Sequence, residues 1–397
     1  MHVTLKLKNR EAMNIVFFDR QGRVFSGKLS PMTRMGGSGY ALYYLTRELA
    51  KLGHRVTVFK KTGNEEGVFD GVEYREYLSR DEFKKEFHDK KIDVLVAFSD
   101  YAPLFLKVNA LVKIIWMHTD FGYNKVYPDQ KEYAKKAFWR IVLFLAGKLI
   151  TLRIDAVFAL SEWQKKGFMR FMGIPGKKIR VIRNGYNEEL IASKRRVRRN
   201  RNRLIYASTP NRGLDILSQH IIPTLRRRFP DLEVHVFSYI KQDVYKGMDG
   251  IVTYEWLDAE AYTTEMAKGY LMVYPNHGAG STYAENSCIA AIESQALGIP
   301  VVTSHRGALP ETVQDGKTGF CIQGDPYTKA YQDEFIEKTL RLLTDNDLYR
   351  RMSSHAKERT FKEHRWSSIA KEWNDNLTDL LCKKNNGTLL SQGISRQ

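Results

Sequence analysis

Glu285-Asn286-Ser287-Cys288-Ile289-Ala290-Ala291-Ile292-Glu293-Ser294-Gln295-Ala296-Leu297-Gly298-Ile299-Pro300-Val301-Val302-Thr303 runs from a polar start through a helical stretch, a glycine stop and a proline into an apolar run. Helix, short turn and β-branched strand in that order are one half of a parallel β-α-β unit. Glu285 stands just before the helix, and Glu293 is expected two turns inside it, so that both carboxylates face one side. The amides of Ser287, Cys288 and Ile289 lie between them, where a helix start leaves its N–H groups unpaired. Acceptors for hydroxyl groups would thus flank a donor nest for an anion. An acid that complements the helix dipole, plus an exposed glutamate, accounts for the same two residues more plainly.

The same alternation extends outward in both directions. Short Val-, Ile- and Phe-rich runs predict strands at 14–18, 55–59, 94–98, 113–117 and 156–160, and again at 203–207, 233–237, 271–274 and 300–303. Helical segments at about 40–51 and 214–228 separate some of them. The pattern predicts an α/β protein of two Rossmann-like, doubly wound parallel-sheet domains facing across a cleft. The N-terminal domain is expected over 1–193 and the C-terminal domain over 204–365, joined by a basic linker at 194–203. A C-terminal helix at 366–382 is expected to return to the N-terminal domain, followed by a polar, mobile tail at 383–397. Parallel sheets bind ligands beyond the carboxyl ends of their strands, so two facing sheets suit a large phosphate-bearing substrate.

At 397 residues, with 43% apolar and 27% charged side chains, the chain is too long for one small module and too apolar for a disordered one. Cys288, Cys321 and Cys382 form no metal or redox spacing. No uncharged run is long enough to span a membrane, and the N-terminus carries charges where a signal peptide needs its apolar stretch. A cytoplasmic location is expected. The net charge of +18 includes a dense run at 194–203, which predicts a solvated linker able to attract polyanions. Aromatic and basic residues at 133–153 suit an amphipathic patch for a lipid-linked acceptor or peripheral contact with an anionic membrane, although a helix packed on the sheet explains the same residues more plainly.

Two further constellations sit where a ligand would bind. Gly36-Gly37-Ser38-Gly39 precedes the first long helix, so its backbone can approach an anion without Cβ interference. His118 follows the strand ending at Met117, a position that directs side chains into a site.

The block from Tyr274 to Phe320, with Gly307-Ala308-Leu309-Pro310-Glu311 and Asp315-Gly316-Lys317-Thr318-Gly319-Phe320 after the opening stretch, resembles the family-4 retaining glycosyltransferases of the GT-B fold. The segments 36–59 and 161–187 resemble that family's glycine loop and interdomain approach. The resemblance implies that Glu285 holds the donor sugar, Glu293 binds the ribose hydroxyls, and Ser287, Cys288 and Ile289 supply backbone contacts to the donor. It implies further that Arg212 meets the diphosphate, Gly36 and Gly37 approach its phosphates, His118 lies beside the transferred sugar, and Trp256 and Leu257 turn a loop over the base. Cys288 and Trp256 replace the family's usual glycines, and Ser208-Thr209-Pro210 stands where a second basic residue is common.

Glu285, His118 and Arg212 are thus the candidate catalytic residues. No metal site is expected, because Asp93, Asp100 and Asp120 are isolated single aspartates, and no cofactor beyond a nucleoside-diphosphate sugar as donor substrate. The acceptor is expected to be a carbohydrate or lipid-linked hydroxyl, bound along 19–35 and near Asp100 and Tyr101, with nucleic acid not expected as a partner. Two rivals share the fold: a non-catalytic polyanion-binding protein, favoured by the charge, and a nucleotide-sugar epimerase or phosphorylase.

Overall fold

The structure is a computed structural model describing residues 12–20, 22–28, 35–77, 79–87, 90–118, 133–238, 243–277 and 284–394. The N-terminal sheet has eight strands: β1 (Asn14–Asp19), β2 (Arg55–Lys60), β3 (Gly67–Phe69), β4 (Val72–Glu76), β5 (Ile92–Phe98), β6 (Ala110–Trp116), β7 (Ala156–Ala159) and β8 (Ile179–Val181). Their order is β3-β4-β2-β1-β5-β6-β7-β8, parallel except for the β3–β4 hairpin at the edge. The C-terminal sheet holds β9 (Arg203–Ala207), β10 (Glu233–Phe237), β11 (Ile251–Tyr254), β12 (Leu271–Tyr274), β13 (Val301–Ser304) and β14 (Gly319–Ile322). It is wholly parallel, in the order β11-β10-β9-β12-β13-β14. In both sheets the order reverses beside the first strand, and that reversal opens a crevice for ligand.

Central strands buried on both faces must be apolar, as Ile15, Val16, Phe17 and Phe18 of β1 and all of β12 are. Residues just past the carboxyl ends of several strands, among them His118, Ser208, Ser238 and Glu255, line one cleft between the domains. Asp19, the last residue of β1, joins them.

The chain crosses between the domains at two adjacent places. Tyr186 N–H donates to His364 O (2.9 Å), and Gly185 lies against the Trp366 ring so closely that a Cβ there would come within 2.7 Å of it. The helix Trp366–Ile394 then packs on the N-terminal domain, where Trp373 is wedged among Phe17, Trp116 and Phe158 at ring separations of 6.0, 5.0 and 4.6 Å. This helix continues through Ile394, past residue 382, where a mobile tail was expected to begin.

The basic run 194–203 is not simply a solvated linker. Arg199 donates to Gly298 O (2.9 Å), Tyr349 Oη (2.7 Å) and Leu297 O, and Arg203 to Tyr254 Oη (2.9 Å) and Glu265 Oε2 (2.8 Å). Lys194 pairs with Glu260. Carbonyls at the end of the helix Ile289–Ala296 and the Glu260 and Glu265 carboxylates take up cations that repel one another in the sequence.

Trp373 is fully buried. Trp373→Ala is therefore expected to destabilise the N-terminal domain by about 3–5 kcal/mol. Urea unfolding followed by circular dichroism measures it, and a loss below about 1 kcal/mol would show that the returning helix is an accessory to this core.

Candidate active site

The cleft has a volume of about 910 Å3 and is lined by Gly36, Gly37, His118, Arg212, Trp256, Leu257, Glu285, Ser287, Cys288, Ile289 and Glu293, together with residues such as Asp19, Arg23 and Trp163. Three described helices begin at it: Gly37–Lys51 from one domain, and Ala259–Ala267 and Ile289–Ala296 from the other; Asp258 caps the second, accepting from Ala261 N–H (2.7 Å), whereas Gly37–Lys51 and Ile289–Ala296 are open. Neither has a side-chain cap: Gly36 has none to offer, and Cys288 makes no capping bond. Other helices are capped by side-chain oxygens, among them those of Ser161, Asn187, Asp258, Thr328 and Asp345. The uncapped amides and the positive helix ends are thus left for a ligand. The starts at Gly37 and Ile289 are close, since a Cβ on Gly37 would lie 3.7 Å from Ile289 Cδ1, while one on Gly36 would meet no atom of the described residues within 4 Å.

Glu285 is 6% exposed. Its Oε1 accepts from Tyr274 Oη (2.7 Å) and from Arg212 Nη1 (3.3 Å). Tyr274, at the end of β12, in turn accepts from Asn276 Nδ2 (2.7 Å) and Ser208 Oγ (3.2 Å). Backbone geometry sets the carboxylate's place: Ala308 N–H donates to Glu285 O (2.8 Å), and a Cβ on Gly307, at φ +59°, would come within 2.5 Å of that oxygen. Gly213, at φ +109°, lies so close to Pro275 O that only glycine fits, which brings Arg212 to the end of β12.

Glu293 is one turn inside its helix, not two, because the helix begins at Ile289. It is 8% exposed and accepts from Tyr262 Oη (3.3 Å). Burial pushes its carboxyl up to about 7, the Tyr262 bond opposing only part of that. Tyr40, in the facing helix, packs against the tilted ring of Tyr44 (4.5 Å) and accepts from its hydroxyl (3.2 Å). Burial first, and then the Glu293 carboxylate, push Tyr40 well above the ordinary tyrosine range.

His118 packs against Trp116 (4.4 Å) and Phe98 (5.1 Å), and its Nε2 is buried with no hydrogen-bond partner among the described residues. Burial lowers its pKa to about 3, so the ring is neutral at ordinary pH. Asn286 Nδ2 reaches its backbone carbonyl across the cleft (3.5 Å). Asp100 and Tyr101 are not among the cleft-lining residues; Asp100 Oδ2 instead takes the Arg20 guanidinium (2.7 Å). Thr119 and Asp120 lie outside the described residues. Among the described residues no group of three or more His, Cys, Asp and Glu side chains is placed to hold a metal ion. Tyr274, Tyr262 and Tyr40 escaped the sequence reading, because a tyrosine ending a strand or opening a helix looks like core until its hydroxyl's partner is known.

Residues 35–190 match the family described as Glycosyltransferase Family 4, and residues 201–345 the one described as Glycosyl transferases group 1. The GDP-mannose-dependent α-(1-6)-phosphatidylinositol monomannoside mannosyltransferase of Mycolicibacterium smegmatis is 33% identical over 137 residues, 31% of this chain and 35% of that protein. Matches to two other curated relatives span 26% and 22% of their lengths. Among solved structures, sucrose-phosphate synthase from Thermosynechococcus elongatus superposes with a TM-score of 0.71 at 17% identity, covering 94% of this chain and 100% of that one. Anabaena Alr3699/HepE in complex with UDP and glucose superposes at 0.64 and 17%, covering 92% and 100%.

The raised Glu293 carboxyl makes a signed prediction. Its folded pKa exceeds the ordinary 4.5, so ionising it costs the folded state, and stability is lost as pH rises from about 4.5 through about 7. Glu293→Gln removes that cost, on the order of 3 kcal/mol. The melting temperature of the variant relative to wild type should therefore rise by roughly 5 °C between pH 5 and pH 8 without ligand. A difference that stays flat across that range would contradict the assignment.

Proposed function

The chain belongs to glycosyltransferase family 4 and shares the GT-B fold, and from that membership and the geometry of the cleft we propose that it is a retaining, metal-independent glycosyltransferase. It moves a sugar from a nucleoside-diphosphate donor to a hydroxyl of a carbohydrate or lipid-linked acceptor, in glycan or glycolipid synthesis. The observation that carries this is the convergence of two uncapped helix starts and Arg212 with the buried Glu285 and Glu293. A relative named for GDP-mannose and a solved structure holding UDP and glucose support a nucleotide-sugar donor. Three free thiols suit a reducing cytoplasm. The polyanion-binding rival rests on the net charge of +18, and part of that charge, in Lys194, Arg199 and Arg203, is bonded to the C-terminal domain.

The difficult step is departure of the diphosphate. As the bond from the anomeric carbon to the phosphate oxygen breaks, the electron pair leaves with the diphosphate, whose charge meets Arg212, the amides near Ser287, Cys288 and Ile289, and the Gly36–Gly37 backbone. The acceptor oxygen bonds to the anomeric carbon on the face the diphosphate leaves, and its proton passes to the departing phosphate oxygen. Glu285 Oε1 is held by Tyr274 and Arg212, while Oε2 takes no bond from a described residue and accepts from the sugar's hydroxyls. The neutral His118 Nε2 lies beside the same sugar. Glu293 accepts from the ribose hydroxyls, and Trp256 and Leu257 cover the base.

Steady-state kinetics separate the two glutamates. Glu285→Ala should lower kcat on the order of 10²-fold, because the sugar must be oriented as positive charge develops at its anomeric carbon. Glu293→Gln should mainly raise the donor KM, because a ribose contact is alike in ground and transition states. Near-normal kcat for Glu285→Ala, with matched circular dichroism spectra, would remove the sugar-holding role. Transfer should also survive EDTA, and complete loss restored by Mg²⁺ would overturn metal independence.

A further inference from the structure

The helix Tyr133–Thr151 is apolar on two opposite faces. Its inner face is used: Trp139, Leu143 and Ile150 belong to the cluster around Phe168 and Met172, and Gly147 lies so close to Met172 O that no side chain would fit. Its outer face is not. Phe138, Ile141, Leu145 and Leu149 are 57–61% exposed, and Leu152, just past the helix, is 80% exposed. The spacing of three, four, four and three residues aligns them in one stripe. Six of the fifteen exposed large apolar side chains among the described residues fall between 138 and 152, Phe144 being the sixth, so this is a concentrated patch and not scattered surface.

Charge says what covers it. From Tyr133 to Ile154 the sequence has no Asp or Glu but includes Lys135, Lys136, Arg140, Lys148 and Arg153. Arg140, Lys148 and Arg153 are exposed; Lys148 Nζ lies 5.0 Å from the Phe144 ring centroid, and the Arg153 guanidinium 5.8 Å from that of the half-exposed Phe105. The adjoining helix Glu162–Met172 adds the exposed Lys166, Met169 and Arg170. A second copy of the chain would set this acid-free cationic stripe against its own like. A bilayer with anionic headgroups satisfies both the apolar stripe and its cations. No helix among the described residues is long and apolar enough to cross a membrane, so the stripe would lie in the surface.

We propose that the outer face of the helix 133–151, with Leu152 and Arg153, seats the N-terminal domain on an anionic membrane surface. Trp163, on the adjoining helix, lines the cleft, so one pair of packed helices carries both the membrane face and a wall of the site. An acceptor anchored in the bilayer would reach the cleft from this side. That last consequence rests on the lipid-linked acceptor proposed above, whereas the membrane contact does not.

Sedimentation with vesicles, without donor or acceptor, tests the contact independently of transfer. Wild-type protein should bind vesicles of 70% phosphatidylcholine and 30% phosphatidylglycerol at least tenfold more tightly than pure phosphatidylcholine, and high salt should abolish most of the difference. Ile141→Ser/Leu145→Ser/Leu149→Ser should lower binding at least tenfold with net charge unchanged. Arg140→Gln/Lys148→Gln/Arg153→Gln should lower it on the order of 10²-fold at low salt. Both variants should keep the wild-type circular dichroism spectrum and transfer to a soluble acceptor. Wild-type protein left in the supernatant, equal binding to both vesicle types, or undiminished binding of either variant would overturn the proposal. So would a wild-type dimer in light scattering that the serine variant converts to monomer, since the occupant would then be a second copy.

Discussion

The helices Gly37–Lys51 and Ile289–Ala296, from different domains, start at the same cleft, and neither start takes a side-chain cap among the described residues. Positive helix ends this close oppose each other unless an anion is placed between them. The surrounding side chains keep that place open. Glu285 could cap the Ile289–Ala296 helix, but Tyr274 and Arg212 hold its Oε1. Glu293 is one turn too far along, and burial raises its proton affinity so that it carries only part of a charge near neutral pH. Gly36, Gly37 and Cys288 supply no capping oxygen. The result is a site whose free donors and flanking acceptors match a diphosphate joined to hydroxyl-rich groups.

The cleft needs two domains held at a defined separation, and the links between them are few and specific. Besides the crossings near Tyr186 and His364, Glu311 of the C-terminal domain caps the helix Glu162–Met172 of the other, accepting from Glu162 N–H (2.9 Å) and Trp163 N–H (2.7 Å). Its own backbone carbonyl is held by Arg359 (2.5 Å). This helix start is thus closed by a carboxylate from the other domain, and Asp258 closes that of Ala259–Ala267, while the starts at Gly37 and Ile289 have no side-chain cap. Trp163 lines the cleft directly after this cap, so the same contact sets part of the wall.

Most of the fold was legible because central parallel strands are nearly unbroken apolar runs, as at β1, β5, β9 and β12. The edges were not. In the hairpin Gly67–Glu76 one strand has three residues and the other alternates over only five, and β14 is four residues after a glycine turn, so neither run is long enough to stand out. All eleven candidate site residues line one cleft, yet what orients them was invisible in the sequence. Tyr274 reaches Glu285 from another element, and Tyr40 faces Glu293 from another domain. Such pairings are made by topology, and no local pattern encodes them. The basic run misled for a related reason: its charge density was plain, but the carbonyls and carboxylates that bind Arg199 and Arg203 come from distant segments.

The central claim is that the converging helix starts and Arg212 form a diphosphate site. Isothermal titration of UDP, GDP and ADP alongside the corresponding monophosphates tests it most directly, in wild type and in Arg212→Gln. At least one diphosphate should bind at least tenfold more tightly than its monophosphate, and Arg212→Gln should remove most of that preference. Diphosphates and monophosphates binding equally well, or a preference that Arg212→Gln leaves intact, would contradict it.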